Sequence, residues 1–417
     1  MLVALLFLAG RCTWGLLREP GFEDFGQYYM GGVIACEGAW EALYPMPLPG
    51  ATKNAGWRDG STMKPAYGAL ARSRGVGDVN RFVLPPPMAI VFAPLALLPW
   101  REAAWVWAAL MILCGWGVAV LAGRLYEIAA GNPSRVAGAL CLLVATSPLM
   151  RRAIGTSQIS PLVALCAGAG ILALWRRRDL CASAAIVAGG LAKVATIALL
   201  PLAALLGRIR LLATVAILTA AVVIVSLLAT GLDPFLEFAG EIAPTLRHSS
   251  AWRGNQSIAG FMLRVTGETA LPEAAATALS LSRILLFGAV FTLIWRARRV
   301  IASSAPSLMA AAAALLLSLL ILSPIFWEHY FVYLCPLWGW LAWEASLSWR
   351  RAIIAGAAVA STWAPLAIAP WLKLREPLTS HMLAAAILML GLAVSRLLAE
   401  SPSQGAAGPP PGTAAAS

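Results

Sequence analysis

The sequence predicts an all-α, polytopic membrane protein. Of its 417 residues, 60% are hydrophobic and only 12% are charged, whereas roughly a quarter of the residues in a soluble domain are charged. The mean hydropathy is +0.78, and apolar runs of about 20 residues, the length that a membrane-spanning helix needs, recur along the chain. The alternating ten-residue segments of a transmembrane barrel are absent. We therefore expect a bundle of membrane-spanning helices.

Apolar runs give the order of the predicted helices. The run over 86–100 is short and rich in proline, so we expect it to dip into the membrane rather than cross it. The run over 181–207 has Gly189, Gly190 and Lys193 near its middle and is predicted to form two half-helices. With that pair, about twelve crossings are predicted. The other runs are 1–17, 103–124, 136–150, 158–175, 211–231, 276–295, 305–323, 330–347, 351–370 and 381–399. The first of them lacks a basic start and a small-residue cleavage site, so we expect a helix and not a signal peptide.

Basic loops predict the orientation. The clusters at 176–179, 208–210, 296–299 and 349–351 are expected to be cytoplasmic, and this positive-inside bias accounts for the net charge of +12. There is no soluble domain with a basic patch, so nucleic-acid binding is not expected. We expect one transmembrane domain over 1–399.

The predicted outer face collects most of the remaining polar residues. It holds a long loop over 18–85, the loop over 232–275, and the three histidines His248, His329 and His381. The low-complexity tail, 400–417, is expected to be a disordered cytoplasmic segment.

Metal and cofactor sites are not expected. The seven cysteines fit neither a disulfide framework nor a zinc site. The sequence has no nucleotide-binding or zinc-protease motif, and no acidic cluster suited to a divalent metal.

Asp24 is the first candidate for chemistry. It follows the first apolar run, and Tyr28 and Tyr29 come four and five residues later, on one face of a helix. A carboxylate that is partly desolvated at an interface can act as a general base. The alternative is a solvated interfacial helix with a tyrosine belt. Its neighbour Glu23 is expected to be solvated.

Two outer-face segments are candidates for binding an anionic group. In SPIFWEHY, over 323–330, Trp327, Glu328 and His329 lie between two apolar runs, where ionisable groups are costly. The loop over 247–260 offers cationic and amide side chains that suit a phosphate; they are Arg247, His248, Arg253, Asn255 and Gln256. The alternatives are an ordinary turn and a solvated loop.

Lys193 and the turn around 151–158 complete the candidates. A lysine inside an apolar hairpin must find a partner, which is either a lipid phosphate or a backbone carbonyl. Arg151, Arg152 and Gln158 lie on a predicted outer turn close to Asp24.

Six of these segments, taken in order, resemble glycosyltransferase family 87. The departures from the family pattern are Leu84, Ser160 and the displaced proline Pro201. The segments are EDFGQYYMGGVIACEGAWEALY, FVLPPPMAIVFAPLALLP, GTSQISPLVAL, AGGLAKVATIALLP, NQSIAGFMLR and SPIFWEHYFVYLCP.

The resemblance implies the GT-C membrane fold and a polyprenyl-phosphate sugar donor, typically with mannose. It implies transfer to a glycolipid or glycan acceptor on the outer face of a bacterial inner membrane, with inversion and with Asp24 as the base. The implied phosphate-binding residues are His329, Arg247, His248, Arg253 and Lys193. The implied sugar and acceptor pocket is formed by Tyr28, Tyr29, Gln158, Asn255, Gln256, Trp327 and Glu328.

Two other classes of protein fit the helix pattern. A secondary transporter also has about twelve helices and a broken hairpin, but its halves repeat and its site lies at the midplane. We detect no internal repeat, and the polar residues gather at one face. A non-catalytic lipid-binding protein is the third possibility.

Overall fold

The chain is helical throughout the part that the structure describes. The structure is a computed structural model that describes residues 22–44, 65–77, 80–268, 270–363 and 378–400, with four isolated positions among the first ten. No strand occurs in these ranges, which contain one isolated bridge between Asn255 and Trp327. The predicted helix over 1–17 and the predicted tail after residue 400 lie outside the described residues.

Within residues 22–99, the described part of the chain has three α-helices before the first long span: α1 (Glu23–Glu37), α2 (Pro65–Ser73) and α3 (Pro86–Ala96). The described parts of the predicted outer loop over 18–85 are therefore largely helical. Helix α3 begins at a run of prolines, whose fixed φ and missing N–H suit the first turn of a helix.

Fifteen further α-helices follow within the described residues. They are α4 (Trp100–Ala130), α5 (Arg135–Thr146), α6 (Pro148–Gly155), α7 (Ser160–Trp175), α8 (Asp179–Ala192), α9 (Leu199–Leu205), α10 (Ile209–Thr230), α11 (Asp233–Glu237), α12 (Ala243–Thr245), α13 (Ile258–Thr266), α14 (Glu273–Ile301), α15 (Ala305–Leu322), α16 (Trp338–Leu347), α17 (Trp349–Trp363) and α18 (His381–Glu400). Short 3₁₀ segments occupy Trp40–Ala42, Val194–Ala198, Glu328–Leu337 and Leu378–Ser380, and Phe238–Ile242 is π-helical.

Five described helices are long and apolar enough to cross a membrane, and they make this a multi-pass membrane protein. The bent pair formed by α5 and α6, with an angle of 43° between them, brings the total to six if it counts as one span. About twelve crossings were predicted, and that number is not confirmed. The difference arises because several predicted runs form shorter helices; α3, α7, α8 and the limb Val194–Leu205 each have 10–17 residues. The five helices are α4, α10, α14, α15 and Leu378–Glu400, which contains α18.

The run over 181–207 forms two helical limbs, as the sequence predicts. Helix α8 ends at Lys193, where the backbone becomes extended. The second limb folds back on the first, with the Thr196 hydroxyl donating to the Ile186 carbonyl oxygen at 2.8 Å. Asp179 and Arg208 form an ion pair. The two limbs therefore start and finish at the same end of the molecule.

Polar residues separate to two ends of the bundle. Helix α7 has 16 residues and is about 24 Å long at 1.5 Å per residue. At its C-terminal end, a cavity of about 310 Å³ is lined by Arg177, Asp179 and Arg208 together with apolar side chains. At its N-terminal end lies Gln158. The basic residues Arg177 and Arg208 are thus separated from Gln158 by about the length of α7, which is close to the thickness of a bilayer core.

Helix α1 packs closely along α3. A Cβ atom at Gly32 would lie 2.4 Å from the carbonyl oxygen of Phe92, so only glycine permits this approach. The ring of Tyr28 stacks on Phe92 with the centroids 5.0 Å apart. The contact with α3 therefore fixes the position of the first turn of α1.

Replacement of Gly32 by alanine should destabilise the protein. Overpacking at a rigid backbone contact costs about 1–3 kcal/mol, and we expect the apparent unfolding temperature in detergent to fall. Gly138→Ala is the matched control, because a Cβ there meets nothing within 4 Å. Equal unfolding temperatures for the two variants would contradict the assigned α1–α3 packing.

Candidate active site

The carboxylate of Asp24 is held by three amide side chains. Asn80 donates to Oδ1 at 3.1 Å and Gln27 donates to the same atom at 3.3 Å. Gln158 donates to Oδ2. Since an ionised carboxylate only accepts hydrogen bonds, three N–H donors match its charged form. The residues come from α1, from the segment before α3 and from the turn before α7, so Asp24 joins parts of the chain that are far apart in sequence.

An aromatic core fixes the helix that carries Asp24. Phe25 stacks between Trp100 and Trp107, with centroid distances of 5.4 and 5.6 Å. Tyr28 and Tyr29 are 1% exposed. The Tyr29 hydroxyl donates to the Leu98 carbonyl oxygen at 2.9 Å. A buried aromatic cluster of this kind leaves the first turn of α1 little freedom.

The turn that carries Gln158 is equally constrained. Ser157 has a φ of 58°, in the left-handed region that non-glycine residues rarely adopt. The Trp107 indole N–H donates to the Ser157 carbonyl oxygen at 3.0 Å, and the Tyr28 hydroxyl lies beside the Ile159 backbone N–H. The aromatic core of α1 and α4 therefore also positions the amide of Gln158.

An ion pair between Arg152 and Glu328 links this turn to the segment SPIFWEHY. Glu328 is 3% exposed. Burial raises the pKa of its carboxyl, and the nearby Arg152 opposes this rise only in part. The Glu328 backbone N–H donates to the Gly254 carbonyl oxygen at 2.9 Å, which ties the same segment to the loop over 247–260.

His329, Tyr330 and Lys193 form a second polar group beside this ion pair. The Lys193 ammonium donates to the Tyr330 hydroxyl at 3.0 Å and lies 4.9 Å from its ring centroid. The His329 ring packs edge-on against Tyr330 with centroids 4.8 Å apart. Burial lowers the pKa of His329 well below its usual range, and the positive charges of Lys193 and Arg152 lower it further. His329 is therefore neutral near pH 7, and its Nε2 is buried with no hydrogen-bond partner among the described residues.

Asn255 and Gln256 hold the loop in place. Both are fully buried. Asn255 Oδ1 accepts from the Phe326 backbone N–H at 2.8 Å, and its Nδ2 donates to the Pro324 carbonyl oxygen at 3.1 Å. Gln256 donates to the Thr379 carbonyl oxygen at 3.1 Å. Their amide groups are thus engaged with the backbone of SPIFWEHY and of the 3₁₀ segment before α18.

The sequence-predicted residues divide into three groups. Asp24, Gln158 and Glu328 come together around the turn before α7, and Lys193 and His329 meet at Tyr330 close by. The pocket-lining role of four residues stays a prediction, and their side chains pack on rings or bond to backbone atoms; these residues are Tyr28, Tyr29, Asn255 and Gln256. Arg247, His248 and Arg253 are exposed on their loop, whereas the charges that act on His329 come from Lys193 and Arg152.

Three contributors were not singled out by the sequence. Asn80 is an isolated amide with no motif around it, whereas Gln27 and Tyr330 lie within the segments EDFGQYY and SPIFWEHY but were given no role. The Glu23 side chain is not described. Within the described residues, no three His, Cys, Asp or Glu side chains cluster in a way that could hold a metal ion.

Arg152→Ala should destabilise the protein in a pH-dependent way, because it leaves the buried Glu328 carboxylate without its cation. The expected cost near neutral pH is about 1–3 kcal/mol. A carboxyl whose folded pKa lies above its unfolded pKa binds a proton more readily in the folded state, so stability is regained as pH falls through the folded pKa. Apparent unfolding temperatures measured from pH 8 to pH 5 should therefore converge with the wild type at acid pH. Arg151→Ala, at the exposed neighbouring position, is the control, and the same profile for both variants would exclude a special role for the Arg152–Glu328 pair.

Comparison with known proteins places the chain in a family. The model of glycosyltransferase family 87 matches residues 82–324, more than half of the chain. No curated protein and no solved structure matches it. The matched range contains Gln158 and Lys193, while Asp24 and His329 lie on either side of it and are brought to the matched part by the contacts described above. The chain belongs to glycosyltransferase family 87 and is a multi-pass membrane glycosyltransferase.

Proposed function

We propose that this glycosyltransferase moves mannose from a polyprenyl-phosphate donor to a hydroxyl group of a glycolipid or glycan acceptor, with inversion at the anomeric carbon. The observation that carries the proposal is the Asp24 carboxylate held by three amides, together with the cationic group of Lys193 and Arg152. The buried Tyr28 interacts electrostatically with both Asp24 and Tyr330, and the Tyr330 hydroxyl is the partner of Lys193. A base and a phosphate site in close proximity are what transfer from a sugar phosphate requires. The lipid-linked donor and mannose are supported by the sequence resemblance to the family.

In this mechanism Asp24 takes the proton of the acceptor hydroxyl. The acceptor oxygen then forms a bond to the anomeric carbon while the bond from that carbon to the phosphate oxygen breaks. Polyprenyl phosphate leaves with the bonding electron pair. Attack from the face opposite the phosphate inverts the configuration. The hydrogen bonds from Asn80 and Gln158 orient the carboxylate for this step.

The leaving phosphate gains negative charge, and the group around Tyr330 is suited to receive it. Lys193 supplies a positive charge, and neutral His329 can donate one N–H. The break after α8 leaves Lys193 at the end of a helical limb, half-buried among apolar residues, where a charge is effective because water is scarce. The exposed loop over 247–260 is proposed to attract the anionic head group of the donor through Arg247, His248 and Arg253.

The remaining candidates are proposed to shape the site in two ways. The space next to Asp24 is proposed to be lined by Trp327, Glu328 and Gln158, which would contact the sugars. Four further residues are proposed to support these lining residues through packing and backbone hydrogen bonds; they are Tyr28, Tyr29, Asn255 and Gln256. The site is proposed to face the periplasm of a bacterium, because the basic loops around Arg177 lie at the opposite end of α7.

Asp24→Asn should lower kcat by about 10²–10⁴-fold while the KM for the donor stays near the wild-type value, because the variant keeps the size of the side chain but cannot take a proton. The measurement is transfer of radiolabelled mannose from polyprenyl-phosphate mannose to extracted membrane lipids in proteoliposomes. Asp233→Asn, at an exposed acid that begins α11, is the control and should match the wild type. Full activity of Asp24→Asn would remove Asp24 as the base. Absence of transfer by the wild type from any polyprenyl-phosphate sugar would favour a lipid-binding or transport function.

Lys193→Met and His329→Ala should both weaken the use of the donor. Loss of one donor or charge facing a developing phosphate costs roughly 10²–10³-fold in kcat. We also expect the KM for the donor to rise, because the same phosphate is bound in the ground state. Initial rates at varied donor concentration test this, with Arg350→Ala as a control at an exposed cation beside Trp349. Normal kinetics for either variant would show that the replaced residue does not bind the donor phosphate.

A further inference from the structure

Trp252 is an exposed tryptophan whose position is nevertheless fixed. Its side chain is 55% exposed. Its backbone N–H donates to the Ser250 hydroxyl at 3.1 Å, and its carbonyl oxygen accepts from the Asn255 backbone N–H at 2.9 Å and from the Arg264 guanidinium at 3.2 Å. Large exposed aromatic side chains on a constrained loop favour a binding role, since their burial by a ligand costs little conformational entropy.

The ring of Trp252 lies directly over the backbone of Gly254. A Cβ atom at this glycine would be 2.0 Å from the indole ring. The φ of Gly254 is not in the left-handed region, so the backbone itself would accept a side chain there. The glycine is therefore required by the position of the ring and not by the turn. One face of the indole packs on the loop, and this arrangement leaves the rest of the ring exposed.

A second tryptophan extends this surface toward the candidate active site. Trp327 meets Trp252 edge-to-face, with centroids 5.2 Å apart. Trp327 directly precedes Glu328, whose carboxylate pairs with Arg152. Arg253, the next residue after Trp252, is also exposed. The two indoles thus form an aromatic surface, Trp252–Trp327, that leads to the polar group around His329.

We propose that Trp252 is the stacking platform for a pyranose ring of the saccharide acceptor, an inference that rests on the proposed function. The C–H bonds on one face of a pyranose are weakly positive, and they match the negative face of an indole. The hydroxyl groups at the ring edge accept hydrogen bonds from a guanidinium such as that of Arg253. Neither the donor phosphate nor the polyprenyl chain has this combination of a flat C–H face and a rim of hydroxyl groups.

Anchoring in lipid headgroups is the competing role for an exposed tryptophan. The two roles differ in what replaces the indole. A membrane anchor needs an apolar side chain of similar size, whereas a stacking platform needs a flat aromatic face. Trp252→Leu and Trp252→Phe therefore separate them. Gly254→Ala adds a third variant that keeps the indole and displaces it.

Steady-state transfer in proteoliposomes at varied acceptor concentration tests the proposal. Trp252→Ala, Trp252→Leu and Gly254→Ala should raise the KM for the acceptor by about threefold to tenfold, with the KM for the donor unchanged. Trp252→Phe should recover most of the loss. Trp349→Ala is the control, because Trp349 is 69% exposed on α17. Recovery by Trp252→Leu, or equal changes in the KM values for donor and acceptor, would overturn the proposal.

Direct binding tests the platform independently of any transfer activity. Saturation-transfer difference NMR of the purified protein with mannobiose, maltose and cellobiose should show signals from the protons on one pyranose face. Trp252→Ala and Gly254→Ala should lose those signals, while Trp349→Ala keeps them. No signal from any disaccharide in the wild type, or unchanged signals in Trp252→Ala, would overturn the platform. Saccharide binding together with absent transfer would instead count against the proposed function alone.

Discussion

The hydrogen bond between Gln158 and Asp24 joins two segments on which the rest of the site depends. It connects the first turn of α1 to the turn before α7 across 134 positions of the chain. Hydrogen bonds to a charged group contribute about 1.5–3 kcal/mol each, so Gln158, Asn80 and Gln27 together offset much of the cost of keeping a carboxylate half-buried. The aromatic core around Trp107 supports both ends of this connection. A carboxylate held in this way is oriented before any substrate arrives.

The candidate site lies where short or broken helices meet. Helix α7 begins directly after the strained turn at Ser157, α8 ends at Lys193, and the chain runs as a 3₁₀ helix from Glu328. Long helices would satisfy their own backbone and leave few polar groups at this depth. The interruptions therefore account both for a polar site within an apolar bundle and for the small number of helices that are long enough to span a membrane.

Sequence patterns identified several residues of the candidate site but not the contacts that their side chains make. Asp24, Lys193 and His329 could be found because an ionisable group between apolar runs is costly and therefore informative. The hydrogen bonds of Asn255 to backbone atoms could not be predicted, because a motif gives the order of residues and not the direction of a side chain. Asn80 could not be found, since a single amide in a loop has no pattern and acquires its partner only through the tertiary fold. The predicted number of spans is not confirmed for a related reason: apolarity alone does not determine where a helix ends.

The most direct test of the central claim, that the donor and the base meet beside Gln158, is an experimental structure of the protein with a non-hydrolysable phosphonate analogue of polyprenyl-phosphate mannose. A base binds the acceptor hydroxyl at about 2.6–3.2 Å, and that oxygen attacks carbon from about 3–3.5 Å. The account predicts the phosphonate against Lys193 and His329 and the anomeric carbon within about 6 Å of the Asp24 carboxylate. An analogue bound at the other end of α7, near Arg177, or one whose sugar points away from Asp24, would contradict it.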